Sequence, residues 1–142
     1  MVNPSTLLVV EDNETNLMIF SDILSAQGHH VLTARTGEES LTVARLKKPD
    51  LILMDLQLPG MNGLEVVRNL KNDPATRSIP VLALTAHAMS YHRDKAIESG
   101  CCGYITKPIR SREFRQTIES FLPIEGSSAG SPTQAESKGD AR

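Results

Sequence analysis

This sequence of 142 residues has no long apolar run and no tryptophan, and it has only two cysteines. Nothing in it approaches the run of ~18 apolar residues that a membrane-spanning helix requires. The residues before Leu7 show no basic flank leading into a long apolar stretch, which is the pattern of a secretory signal. We therefore expect no membrane contact and a cytoplasmic location.

The two cysteines, Cys101 and Cys102, are adjacent in the sequence. Neighbouring cysteines rarely form a useful disulfide bond, and this pair lacks the spacing of a metal site. We expect two small, partly buried thiols in a reducing compartment. A basic surplus is also missing, because 15 basic residues face 17 acidic ones and the net charge is −2. This balance argues against a protein that binds nucleic acid directly.

Short apolar runs alternate with longer amphipathic segments along most of the chain. Near-continuous apolar runs of this length are typical of strands that are buried on both faces of a parallel sheet. The runs predict strands at residues 7–10, 31–34, 51–54, 81–84 and 103–106. The segments between and after them predict helices at residues 13–27, 36–47, 62–71, 90–99 and 111–121, with Gly28 as a stop and Ser111 as an N-cap.

Five strand–helix units in succession predict an α/β fold, (βα)5, with a doubly wound five-stranded parallel sheet. The pattern stops near residue 123, and the remainder is rich in Ser, Gly, Ala and charge. We therefore expect one domain over residues 1–124 and a disordered tail or linker stub over residues 125–142.

Polar side chains follow four of the predicted strands at the point where each strand ends. They are Glu11 and Asp12, then Asp55, Thr85 and Lys107. In open sheets of this class, ligands bind at the carboxyl ends of the strands. Three crowded carboxylates need a cation, and their hard oxygen atoms favour Mg²⁺. A carboxylate held ionised by such cations can act as a nucleophile toward phosphorus.

Four stretches carry a family resemblance, at residues 7–13, 50–63, 81–86 and 104–108. With them the chain resembles the receiver domains of two-component response regulators, the CheY-like superfamily with its flavodoxin-like fold, over about residues 5–122. Among these it is similar to stand-alone single-domain receivers of the DivK or CheY type. Met1 and the short lead to the first strand favour a natural N-terminus, while a receiver excised from a larger or hybrid protein stays open.

The resemblance implies a role for each site residue. It makes Asp55 the phosphoacceptor and gives Mg²⁺ the ligands Glu11, Asp12, Asp55 and the backbone carbonyl of Gln57. It assigns stabilisation of the phosphoryl group to Thr85 and Lys107. The implied donor is a histidine kinase or a histidine phosphotransfer protein.

The resemblance also implies a switch and its tuning. Thr85 would move toward the phosphoryl group and Tyr104 would turn inward, which reshapes the surface of the fourth helix, fifth strand and fifth helix for a downstream protein target. It implies a cis peptide bond before Pro108. It further implies that Gln57 and His87 tune dephosphorylation. We interpret all four histidines as surface or loop residues.

Two alternatives come from other functional classes. A Mg²⁺-dependent phosphohydrolase with an aspartyl nucleophile needs a second acid two residues after it, and here that residue is Gln57. A degenerate receiver would act as an unphosphorylated binding module. Against it, all five polar residues at the strand ends are present.

Overall fold

The computed structural model describes residues 4–58, 60, 62–86, 90–107 and 109–122, with the backbone alone for residues 90–92 and 111. Its strands are β1 Thr6–Val10, β2 His30–Ala34, β3 Leu51–Asp55, β4 Val81–Thr85 and β5 Gly103–Thr106. Its helices are α1 Glu14–Ala26, α2 Gly37–Lys47, α3 Gly63–Asn72, α4 Ser90–Ser99 and α5 Ser111–Ser120. In the part of the chain that is described, no helix has the length and apolar character needed to cross a bilayer.

The five strands form one parallel sheet in the order β2-β1-β3-β4-β5. The chain moves to one side of β1 to form β2 and then crosses to the other side to form β3. The strand order therefore reverses between β1 and β3, which is where ligands bind in doubly wound sheets. The predicted fold class is confirmed.

Apolar side chains fill both sides of the sheet. On one side, alternate strand residues pack with α2, α3 and α4, which contribute Ala44, Val66, Val67, Leu70 and Ala96. On the other side, the remaining strand residues pack with α1 and α5, which contribute Phe20, Leu24, Phe114 and Ile118. The rings of Phe20 and Phe114 are stacked with their centroids 5.5 Å apart. Burial on both faces explains why the three central strands, β1, β3 and β4, are almost purely apolar.

Three helices begin at a residue whose side chain caps the first turn, as such polar residues favour. Asn13, Thr36 and Asn62 accept hydrogen bonds from the backbone of α1, α2 and α3, respectively. The prediction that Ser111 caps α5 is wrong. The first helical hydrogen bond runs from Phe114 N to Arg110 O, so the cap position is Arg110 and Ser111 is the first residue inside the helix.

The interpretation of the histidines as surface or loop residues agrees with the two that the structure describes, because His29 lies in the loop between α1 and β2 and His30 is exposed. It did not foresee that this loop histidine is buried. His29 is only 5% exposed, and its Nδ1 accepts a hydrogen bond from Ser5 N at 3.1 Å. The turn after α1, with Gly28 at φ +94°, brings the imidazole beneath the start of β1. His30 lies in β2 and is exposed. His87 and the side chain of His92 lie outside the described residues.

Candidate functional site

The polar residues at the strand ends meet at the carboxyl edge of the sheet. Glu11 and Asp12 directly follow β1, Asp55 is the last residue of β3, Thr85 is the last of β4, and Lys107 follows β5. Parallel register brings these ends level, since Val10 pairs with Met54 and Thr85 pairs with Thr106. The site is therefore assembled by the sheet topology from four separate segments of the chain.

Three carboxyl groups form the acidic part of the site. One oxygen from each of Glu11, Asp12 and Asp55 lies within 4.8 Å of the other two. Glu11 and Asp55 are buried, at 1% and 2% exposed, whereas Asp12 is exposed. Carboxylate oxygens in such a cluster repel one another and are the ligands that Mg²⁺ prefers. The residues at this edge thus fit a hard divalent cation.

Lys107 is the cation that the chain itself supplies. Its Nζ lies 2.9 Å from Glu11 Oε1 and 3.2 Å from Asp55 Oδ2. The pairing with Asp55 agrees with the sequence interpretation, but the closer contact with Glu11 was missed. Two adjacent acids, Glu11 and Asp12, look equivalent in the sequence, and only the fold shows that Glu11 turns into the protein while Asp12 faces solvent.

The electrostatics of this pair follow from burial and proximity. Burial raises the pKa of Glu11, and the neighbouring Asp55 raises it further, while the hydrogen bond from Lys107 opposes both. Burial alone would lower the pKa of Lys107. The hydrogen bond to Glu11 and the charges of Asp55 and Glu11 outweigh that effect, so the pKa of Lys107 is raised. The ammonium group therefore stays charged between the two carboxylates.

Backbone groups hold the two buried carboxylates in place. Gln57 N donates a hydrogen bond to Asp55 Oδ1 at 3.0 Å, and Asn13 N donates one to Glu11 Oε2 at 3.2 Å. Each carboxylate thus has one oxygen on a backbone N–H and the other on Lys107. This arrangement fixes the orientation of Asp55 at the end of its strand.

Gly63, the first residue of α3, lies against the backbone of this segment. A Cβ atom built at Gly63 would be 2.6 Å from Leu56 Cα and 2.7 Å from Asp55 O. Only glycine allows the helix to approach the end of β3 this closely. Gly63 is the last residue of the stretch 50–63 that carries the family resemblance, but the sequence alone does not predict its role, because a close backbone approach has no signature in one sequence.

The two residues of the implied switch lie on one face of the sheet. Tyr104 pairs with Ala83 in the register of β4 and β5, and Thr85 is two residues further along β4. Side chains two apart on a strand share a face, so Thr85 and Tyr104 are diagonal neighbours. Thr85 is buried, and Tyr104 is partly buried against the apolar layer beneath α2, α3 and α4.

Two predicted site residues, His87 and Pro108, lie outside the described residues. The backbone carbonyl of Gln57 as a metal ligand stays a prediction, as do the tuning roles of Gln57 and His87. The other predicted residues are brought together: Glu11, Asp12, Asp55 and Lys107 at the carboxyl edge, and Thr85 at the end of the adjacent strand.

A doubly wound parallel sheet with three carboxylates and a lysine at its carboxyl edge defines an α/β protein whose site fits a hard divalent cation. The family model of the response regulator receiver domain matches residues 7–119. The chain therefore belongs to the response regulator receiver domain family.

Individual relatives agree with the family. The chain is 46% identical over 119 residues to the polar-differentiation response regulator DivK of Brucella anthropi, covering 84% of this chain and 97% of that protein. The chemotaxis response regulator CheY4 of Vibrio cholerae has a similar structure, with a TM-score of 0.80, 26% identity, and coverage of 84% of this chain and 100% of that one.

A third relative bears on the metal. The receiver domain of a sensor histidine kinase from Pseudomonas aeruginosa has a TM-score of 0.77 and 28% identity, covers 84% of this chain and 98% of that one, and holds a magnesium ion in its active-site cleft. The chain is thus a receiver domain of two-component signal transduction. It is a signalling domain rather than a conventional enzyme, and phosphorylation on aspartate with Mg²⁺ is a feature of its family.

Proposed function

We propose that Asp55 accepts a phosphoryl group from a phosphohistidine of a histidine kinase or histidine phosphotransfer protein. The observation that carries the proposal is the placement of Asp55, the buried end of β3, 3.2 Å from Lys107 and within 4.8 Å of two further carboxylates. This is the one aspartate in the cluster that is both buried and held by a backbone N–H.

Mg²⁺ fits the donor set at this edge. Carboxylate oxygens of Glu11, Asp12 and Asp55 would hold the ion, with the Gln57 carbonyl as a further ligand. When bound, the ion would neutralise charge on the oxygens of the transferring group. Lys107 stays with the carboxylates and balances charge on the same group. The hydroxyl of Thr85, at the end of β4, donates a hydrogen bond to a phosphoryl oxygen.

The proposed reaction forms one bond and breaks one. A carboxylate oxygen of Asp55 attacks the phosphorus, and the bond from phosphorus to the donor nitrogen or oxygen breaks with its electron pair leaving on the donor. The chain positions the nucleophile and stabilises charge, which is most of what phosphoryl transfer requires. Hydrolysis of the acyl phosphate by water returns Asp55, so the domain promotes its own phosphorylation and dephosphorylation.

The output of the domain is a change of surface. The phosphoryl group carries about −2 charge at neutral pH and strong acceptor oxygens. Its contacts with Thr85 and Lys107 favour one of two arrangements, in which Tyr104 turns inward. The surface formed by α4, β5 and α5 changes with it and binds a downstream protein target. We assign the domain to residues 1–124 and propose that the protein is cytoplasmic. We propose no role for it in binding nucleic acid or membrane.

The proposal is tested by the mass of the intact protein after incubation with a small-molecule phosphodonor and Mg²⁺. We expect one added phosphoryl group on the wild type. We expect none on Asp55→Asn and none after chelation with EDTA. Asp50→Asn, at the opposite end of β3, is the matched control and should be phosphorylated like the wild type.

Other outcomes of this experiment would favour another function. No adduct on any protein would favour the unphosphorylated binding module. Repeated turnover of a phosphoester, with many product molecules released per protein, would favour the phosphohydrolase. An adduct that persists in Asp55→Asn would place the acceptor elsewhere.

A further inference from the structure

One cationic side chain of α4 lies over the aromatic ring of the proposed switch. The guanidinium carbon of Arg93 is 5.5 Å from the centroid of the Tyr104 ring. The same guanidinium donates a hydrogen bond from Nη1 to the Tyr104 hydroxyl at 3.4 Å. Arg93 therefore contacts both the face and the tip of this side chain.

The contacts of Arg93 with Tyr104 depend on which way the Tyr104 side chain points. The ring is partly buried, with its base against the apolar layer and its hydroxyl at the surface beside the exposed Arg93. A ring that turned inward toward Thr85 would lose both contacts with Arg93. The contacts consequently stabilise only the arrangement in which the hydroxyl stays at the surface.

The described side chains of α4, the helix that carries Arg93, are mostly exposed. Among the described side chains of α4, only Ala96 and Ser99 are buried. The α3 helix of equal length, by comparison, buries Gly63, Val66, Val67 and Leu70. The contact of Arg93 with Tyr104 of β5 is thus one of the few contacts that join the described side chains of α4 to the sheet.

We propose that Arg93 is a positioning residue that holds Tyr104 in its surface arrangement and so opposes the phosphorylated state of the domain. This inference rests on the switch role proposed for Tyr104. Because allosteric coupling is reciprocal, a group that favours the surface arrangement weakens binding of the phosphoryl group by the same factor. Removing the guanidinium strengthens that binding.

The size of the effect follows from the type of contact. A cation over an aromatic ring at an exposed site changes an equilibrium by about two- to fivefold. We therefore expect Arg93→Ala to bind beryllium fluoride, a phosphoryl mimic that is used here with Mg²⁺, about two- to fivefold more tightly than the wild type. Arg93→Lys keeps a cation, so its affinity for beryllium fluoride should lie between those of the wild type and Arg93→Ala. Arg68→Ala removes an exposed arginine of α3 and should match the wild type.

A second measurement follows Tyr104 without any ligand. The chain has two tyrosines, so incorporation of 3-fluorotyrosine gives two fluorine NMR signals, and Tyr91→Phe identifies that of Tyr104. In Arg93→Ala, the Tyr104 signal should move toward that of the wild type with beryllium fluoride, and its solvent isotope shift should decrease as the ring becomes buried. Combining Arg93→Ala with Tyr104→Ala should remove the gain in affinity.

The outcomes separate the two proposals. An unchanged or more exposed Tyr104 ring in ligand-free Arg93→Ala would overturn the role of Arg93, and so would a gain in affinity that survives Tyr104→Ala. A wild type that binds no beryllium fluoride would instead refute the phosphoacceptor role of Asp55. In that case the decrease of the solvent isotope shift in the ligand-free variant still decides whether Arg93 holds the ring.

Discussion

At the scale of the residue, His29 is a buried base at the amino end of the sheet, opposite the carboxylates. Its Nδ1 accepts the Ser5 N–H, which only the unprotonated nitrogen can do. Among the described residues no hydrogen-bond partner reaches its Nε2. Burial lowers the pKa of His29, against smaller opposing effects of Glu119 and Asp50. The fold therefore favours the neutral imidazole.

We expect this histidine to make stability depend on pH. The unfolded chain binds a proton at His29 near its ordinary pKa of 6.5, whereas the folded protein resists protonation until the pH is lower. Between the lowered pKa of the folded protein and the ordinary pKa of 6.5, the unfolded state binds more protons than the folded state. The free energy of unfolding therefore falls as the pH falls through this range. Urea denaturation between pH about 7.5 and about 5.5 should show a smaller fall for His29→Gln than for the wild type.

The exposed neighbour provides the control for this prediction. His30→Gln removes a histidine of β2 whose side chain faces solvent, so its pH dependence should follow the wild type. Parallel curves for His29→Gln and the wild type would show that His29 is protonated equally in both states. The two histidines are adjacent in the sequence, and only burial distinguishes them.

At the scale of the element, α3 is placed by its first residue. Alanine in place of glycine normally stabilises a helix by about 1 kcal/mol. At Gly63, however, the added Cβ would meet the Leu56 and Asp55 backbone at 2.6 and 2.7 Å, and backbone cannot yield as a flexible side chain does. Overpacking of this kind costs about 1–3 kcal/mol. The steric effect therefore exceeds the gain in helix propensity.

We expect Gly63→Ala to be less stable than the wild type in urea denaturation and to take up the phosphoryl group on Asp55 more slowly. Gly28→Ala is the matched control. Gly28 has open space around it, so the added Cβ introduces only strain at φ +94° and leaves the rate of phosphorylation unchanged. Equal phosphorylation rates for Gly63→Ala and the wild type would mean that α3 shifts without moving Asp55.

Most of the elements could be predicted from the sequence because they are buried on both faces or capped. The apolar runs predicted each strand to within one residue, and Asn13, Thr36 and Asn62 mark three helix starts. The cap of α5 was assigned to Ser111 instead of Arg110 because serine is favoured both as a cap and in a first turn. The pairing of Lys107 with Glu11 was missed because it depends on which way a side chain turns.

At the scale of the whole molecule, the crowded carboxylates are a source of instability that a cation relieves. Two like charges about 4 Å apart repel by about 1 kcal/mol in water. Any ligand that binds only the folded state raises its stability, by about 2.7 kcal/mol at a hundred times its dissociation constant. Magnesium should therefore raise the melting temperature of this domain.

We expect Asp12→Asn to change the melting temperature in opposite ways without and with Mg²⁺, compared with the wild type. Without Mg²⁺ it should melt at the same temperature as the wild type or slightly higher, since one repelling charge is gone. With Mg²⁺ it should gain much less, because a ligand is lost. Differential scanning calorimetry with and without Mg²⁺ measures both effects. Asp22→Asn, an exposed acid of α1, should respond to Mg²⁺ like the wild type, and an equal response of Asp12→Asn would exclude Asp12 as a ligand.

The lysine that closes the site stands 96 positions after the glutamate that it contacts, with nearly the whole domain between them. A chain still emerging from the ribosome, or one cut by a protease before β5, has Asp55 but not its partner. From the roles proposed for Asp55 and Lys107, we expect such a fragment to receive a phosphoryl group far more slowly than the intact domain. We therefore expect signalling to require a folded domain that includes β5 and Lys107.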